Sequence, residues 1–241
     1  MRQGNIRHAF AAIALGLFGS ANASVVMNGT RYIYPADARE ITVKVSNVGK
    51  VPALTQAWID DGDAKSTPET VDVPFNLTPP LSRVESGKSQ TLRVAYTGGD
   101  LPSDRESVFW LNVLEVPPQA EREPGSSTMQ LAIRYRLKLF FRPKGLKGSA
   151  EAAPSTLTWT RAADGRFSVT NPSAFHVSFN DLKVVSGGTG RDVEPFSIAP
   201  RATVTFEPKE PLAAGGDVRI DYQFINDYGG FVTGSKAVGA P

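Results

Sequence analysis

The side chains in this sequence that could do chemistry are few. Outside the first 23 residues His176 is the only histidine, and there is no cysteine. A cysteine nucleophile and a cysteine-built zinc site are therefore excluded, and no His-Glu-x-x-His pair exists. His176 lies between Phe175 and Val177 in a strand-like stretch, where a packed or surface histidine is the ordinary outcome. Asp60, Asp61 and Asp63 could suggest calcium, but no EF-hand spacing follows, and an acidic hairpin turn accounts for them. Gly187-Gly188-Thr189-Gly190 lacks the Gly-Lys-Ser/Thr ending and following helix of a phosphate loop, so a turn is the better account. The sequence thus points away from an enzyme: no catalytic residue, cofactor or metal is expected.

A different chemistry is concentrated between Thr128 and Pro143. Met129, Leu131, Ile133, Tyr135, Leu137 and Leu139 recur at every second position, the period of a strand with one apolar face. The opposite face carries Arg134, Arg136 and Lys138. The strand is long for a globular domain, and Pro143 closes it. An apolar ribbon backed by cations is ordinarily an interior strand with a basic outer face, but the length and the closing proline argue for more.

The elements that must position this strand are also strands. Short alternating runs at 41–45, 54–59, 71–77, 92–96 and 108–116 are separated by Gly, Pro, Asn and Asp. Turn signals at this spacing, without a long helical period, predict an all-β sandwich of roughly seven strands. The pattern restarts after Pro143, with runs at 157–160, 166–170, 175–179, 182–185, 202–206, 218–225 and 231–238. The expected organisation is a first domain over residues 24–143, a linker over 144–152 and a second β-sandwich over 153–241.

Residues 1–23 have the character of an export leader. Arg2 and Arg7 precede the uncharged apolar stretch 9–18, and Ala21-Asn22-Ala23 fits a small-x-small cleavage site. The stretch is too short to span a bilayer, so secretion into a compartment such as a periplasm is expected rather than stable membrane insertion. Without Arg2 and Arg7 the 26 basic residues fall to 24, equal to the 24 acidic ones, so nothing asks for nucleic acid. An extracytoplasmic protein without disulfides must rely on core burial alone.

Several stretches together resemble the PapD-like periplasmic pilus chaperones of the chaperone–usher pathway. They are Thr30-Arg31-Tyr32-Ile33-Tyr34-Pro35, Gln56 to Gly62, Pro74 to Pro80, Gln90 to Val94, Leu101 to Val113, the 128–143 strand and Ile225 to Gly230. The run Asp104-Arg105-Glu106-Ser107 followed later by Lys138-Leu139-Phe140-Phe141-Arg142-Pro143 is the most specific combination. The resemblance implies two immunoglobulin-like sandwiches at an angle, with a cleft between them. Its clients would be pilus subunits whose own sandwich lacks a strand, later delivered to an outer-membrane usher. Such donor-strand complementation is a known form of β-augmentation. A client-free chain would be expected to cap itself as a dimer.

By resemblance, Arg31 and Lys138 form the anchor for a subunit's terminal carboxylate, with edge protection by charge as the alternative. Met129, Leu131 and Ile133 supply the donor-strand contacts. Glu106, Arg142 and Asp227 correspond to a charged cluster linking the two domains. The polar segment 117–127 resembles the short-loop branch of the family, and the absent cysteines depart from members with a disulfide in the second domain. A fimbrial subunit or adhesin, and a secreted carbohydrate-binding module or hydrolase, are the rival readings. The first usually carries a cysteine pair and a donor extension, and neither is present.

Overall fold

The computed structural model describes residues 24–116, 118, 131–212 and 217–239. The leader, most of the 117–127 segment and Met129 lie outside the described residues. The fold is all-β, apart from one 3-10 turn at Ala153–Thr156. No described helix is long and apolar enough to cross a membrane.

The first sandwich is built from β1 (Val25–Met27), β2 (Arg31–Pro35), β3 (Ile41–Asn47), β4 (Ala53–Asp60), β5 (Phe75–Thr78), β6 (Leu81–Val84), β7 (Ser89–Tyr96), β8 (Ser107–Val116) and β9 (Ile133–Arg142). One sheet has the order β1-β3-β7-β5, and the other β2-β9-β8-β4-β6. Alternation on each strand sends Val43, Val45, Leu92, Val94, Leu111, Val113, Leu139 and Phe141 between the sheets, where they are buried. Among the described residues Tyr34 is the largest fully buried side chain. It stacks on Phe141 at 5.9 Å, and its hydroxyl donates to the carbonyls of Ala38 and Arg39 and accepts from the Tyr96 amide at 2.9 Å. A buried phenol needs such partners, and here they tie both sheets to the end of β2.

The second sandwich comprises β10 (Thr158–Arg161), β11 (Phe167–Thr170), β12 (Val177–Ser186), β13 (Thr189–Asp192), β14 (Ser197–Ile198), β15 (Thr203–Phe206), β16 (Val218–Ile225) and β17 (Phe231–Val238). Its sheets run β10-β11-β15 and β13-β12-β16-β17, with β14 also on β12. Trp159, Phe167, Phe179, Leu182, Val184, Ile198 and Ile220 fill its core.

Three expectations change. The long strand does not begin at Thr128: β9 starts at Ile133, and Leu131 is outside it and 60% exposed. Its ladder with β8 stops there: Glu115 opposite Ile133 is the last β8–β9 pair, although β8 itself runs on to Val116. The run 182–185 and the 177–179 part of the run 175–179 belong to one strand, β12, which passes Asn180 through a register shift between Phe179 and Asp181. The acidic turn loses a member: Asp60 ends β4 with its side chain wholly buried. Gly187-Gly188 is a two-residue hairpin turn, both residues at positive φ, closing the Ser186–Thr189 pair.

Candidate functional site

The site follows from how β9 is paired. On one side β8 accompanies it antiparallel from Ile133 to Phe141. On the other, β2 runs parallel to it but covers only Lys138 to Arg142. Among the described residues nothing pairs with that side of Ile133–Leu137. Five residues of strand therefore present an open edge, and it ends where β2 begins.

At that end the first pair of the parallel register is Arg31 with Lys138. Directly opposed like charges destabilise a sheet. No described carboxylate forms an ion pair with either cation, and each reaches into the second sandwich instead. Arg31 Nη1 donates to the Ile225 carbonyl at 2.8 Å, while its buried Nε has no hydrogen-bond partner. Lys138 Nζ donates to Ser178 Oγ at 2.9 Å and to Ser197 Oγ, and lies 5.5 Å from the Trp110 ring centroid. Burial, reinforced by the charge of Arg31, pushes the Lys138 ammonium down to about 8. Burial likewise lowers the Arg31 guanidinium, with Asp227 and Glu106 opposing it. Two half-desolvated cations on neighbouring strands have the chemistry to bind one anion.

A second cluster joins the sandwiches. Arg142, at the end of β9, donates to Asp227 through both Nη atoms at 2.7 and 3.0 Å, and to Glu106 through Nε at 2.7 Å. The Glu106 carboxylate also accepts the His176 amide at 2.8 Å, with the His176 ring Nδ1 at 3.3 Å. The Glu106 amide donates to the Ala174 carbonyl at 2.9 Å, and Arg201 pairs with Asp104 nearby. Asp227 sits in the hairpin between β16 and β17. That hairpin approaches so closely that a Cβ on Gly229 (φ +81°) would lie 2.4 Å from Thr30 Oγ1. Glycine is required there twice over, for its dihedral and for its lack of a side chain.

The outer face of β9 holds a third arrangement. Arg136 donates to the buried Asp60 carboxylate at 2.6 Å, and Asn112 does so at 2.7 Å. Burial works against ionisation of Asp60, but these bonds, the Gly62 amide and the Arg136 charge hold its pKa below the usual carboxylate range. Arg134 lies over Trp58 at 4.6 Å and Arg136 over Trp110 at 4.4 Å. Arg134 and Arg136 are thus engaged with Asp60, whereas Lys138 two residues on is not.

Arg31 and Lys138 stand together, and Glu106, Arg142 and Asp227 form one network. Ile133 opens β9 on the face opposite Lys138, while exposed Leu131 touches neither group. Sequence reasoning missed Ser178, Ser197, the Ile225 carbonyl and the role of Asp60. Only Asp60 left a signal, as a carboxylate two residues from a tryptophan at the end of an apolar run.

The fold and site together define a two-domain, immunoglobulin-like protein of the pilus-chaperone type. Residues 24–147 match the family described as "Pili and flagellar-assembly chaperone, PapD N-terminal domain", and residues 152–236 match "Pili assembly chaperone PapD, C-terminal domain". The chain belongs to this family of periplasmic pilus chaperones. It is 47% identical over 232 residues to the chaperone protein FimB/FhaD of Bordetella pertussis, covering 95% of this chain and 93% of that one. The crystal structure of the YadV chaperone superposes with a TM-score of 0.77 at 37% identity, over 89% of this chain and 100% of that one. The Salmonella enterica SafB chaperone in complex with SafA pilin gives 0.75 at 30% identity, over 91% and 98%.

Proposed function

We propose that residues 1–23 are removed on export and that domains 24–143 and 153–241, joined by 144–152, work in the periplasm as a carrier of fimbrial subunits. The observation that carries this reading is the Ile133–Leu137 edge, unpaired among the described residues, ending at Arg31 and Lys138, with which no described carboxylate forms an ion pair. A subunit lacking its last strand exposes unpaired backbone groups and an open core, and an extended edge can satisfy both. A chain whose terminal carboxylate meets Arg31 and Lys138, with its preceding residues along 133–137, must run parallel to β9.

Backbone pairing is indifferent to client sequence, so the side chains of Met129, Leu131 and Ile133 supply the fit to the client's core. Glu106, Arg142 and Asp227 set the angle between the sandwiches rather than adding net stability. The complex is then delivered to an outer-membrane usher without nucleotide, and the same open edge can pair with a second copy when no client is present. The complex of the SafB relative with a pilin supports the choice of client.

The test is co-expression with a candidate fimbrial subunit, followed by pull-down. Arg31→Ala and Lys138→Ala should fold normally and lose client yield by about tenfold or more, the equivalent of one charged hydrogen bond. Undiminished yield with both variants refutes the anchor assignment.

A further inference from the structure

Glu115, near the end of β8, is a buried carboxylate that the subunit-binding reading does not use. It is 4% exposed, and among the described residues no lysine or arginine forms an ion pair with it. Both oxygens turn instead to the start of β1. Oε1 accepts from the Ser24 backbone nitrogen at 3.2 Å and from Ser24 Oγ, and Oε2 accepts from the Val25 amide at 3.2 Å.

Ser24 is held on its other sides as well. Its carbonyl accepts from the Val48 amide at 2.7 Å. Gly49 lies so near that a Cβ there would meet Ser24 Cβ at 2.4 Å. Tyr135 of β9 donates to the Val25 carbonyl at 2.8 Å. The pocket around Ser24 is therefore fitted, and its one charged wall is negative.

A buried carboxylate without a cation is costly, and neutral amides offset only part of that cost. Ser24 is also the residue that follows the small-x-small site. Hydrolysis of the Ala23–Ser24 peptide bond adds water across it: the C–N bond breaks, Ala23 leaves with a carboxylate, and Ser24 keeps an amine that takes up a proton at neutral pH. The nitrogen already within hydrogen-bond reach of Glu115 then becomes an ammonium, and the contact becomes an ion pair.

We propose that Glu115 is the receptor for the α-ammonium created by leader cleavage, so that the first sandwich is completed only in the processed chain. The reaction that supplies this cation is endoproteolysis by a leader-removing peptidase. The inference rests on the leader reading above. Its consequence is spatial: Glu115 is the residue opposite Ile133, so the new ion pair fixes β1 beside the first residue of the open edge.

Four purified proteins test it: chains beginning at Ser24 or at Ala23, each with Glu115 or with Glu115→Gln. Urea unfolding should show the Ser24 chain more stable than the Ala23 chain by about tenfold or more in the unfolding constant. That advantage should vanish in Glu115→Gln. Equal stability of the two starts, or an advantage that survives Glu115→Gln, overturns the proposal. If Glu115→Gln does not fold, Nα-acetylation of the Ser24 chain makes the same test without a substitution, and an unchanged midpoint overturns the proposal. The intact mass of exported protein checks the leader reading separately. A first residue other than Ser24 sinks that reading and the proposal with it, whereas a Ser24 start with no Glu115 coupling sinks the proposal alone.

Discussion

Raising the pH should loosen the grip on a client while making the free chain more stable. The group responsible is Lys138, whose ammonium is pushed from 10.5 down to about 8 by burial and by Arg31. Its neighbours Ser178 and Ser197 are hydroxyls and give it no compensating negative charge. At pH 7 it is still about nine-tenths protonated. A bound carboxylate supplies the missing charge and raises its pKa, so above pH 8 capture must be accompanied by proton uptake. Affinity should then fall with a slope approaching about tenfold per pH unit between roughly 8 and 10, and stay flat below 7.

For the free chain the sign reverses. The folded pKa is depressed below the unfolded one, so between about 8 and 10.5 the unfolded chain binds more protons and stability rises with pH. The gain is at most about 3 kcal/mol. Calorimetric titration of a subunit's C-terminal peptide in buffers of different ionisation enthalpy reads the proton uptake directly. Lys138→Arg keeps a charge that does not titrate here and should abolish the slope. A slope that persists in Lys138→Arg, or an affinity flat from pH 7 to 9.5 in the native chain, refutes the reasoning.

Two further outcomes are expected. Leu131→Glu should change the melting of the free chain within about 0.5 kcal/mol, because Leu131 is 60% exposed, yet abolish the client complex by burying a charge in the client's core; a collapsed melting temperature would make Leu131 a core residue. Arg142→Ala leaves the Glu106 carboxylate, 1% exposed, without its cation and should cost about 3–5 kcal/mol in urea unfolding. Asp227→Asn, at a carboxylate 31% exposed, should cost markedly less, and equal losses would mean that Glu106 does not depend on Arg142.

The two sandwiches and most strands were legible because alternation and turn residues are local signals. What escaped was set by partners distant in sequence. β9 starts where its ladder with β8 stops, a point that no local pattern marks, so the alternation carried the strand past Ile133 to Leu131. Asn180 and Asp181 look like a turn, but pairing of β12 with β16 on both sides absorbs them as a bulge. Ser178 and Ser197 are ordinary serines whose importance arises only because Lys138 reaches them across the sandwiches. Asp60 was read as a turn residue from its neighbours Asp61 and Asp63, although β9 supplies the arginines that bury it.

The parallel pairing of β2 with β9 also bears on when the molecule can fold. Arg31 is made early, but its strand partner Lys138 is made roughly a hundred residues later, and Ser24 waits 91 residues for Glu115. Closing loops of that length costs entropy before any contact repays it, which slows folding of such topologies. The first sandwich therefore cannot close from its own beginning. Until residue 142 has emerged, β2 and β8 both lack the strand that lies between them. The growing chain passes through a stage with an unfilled sheet edge on β8 and an unpaired β2, the same structural defect that it is proposed to cover in its clients.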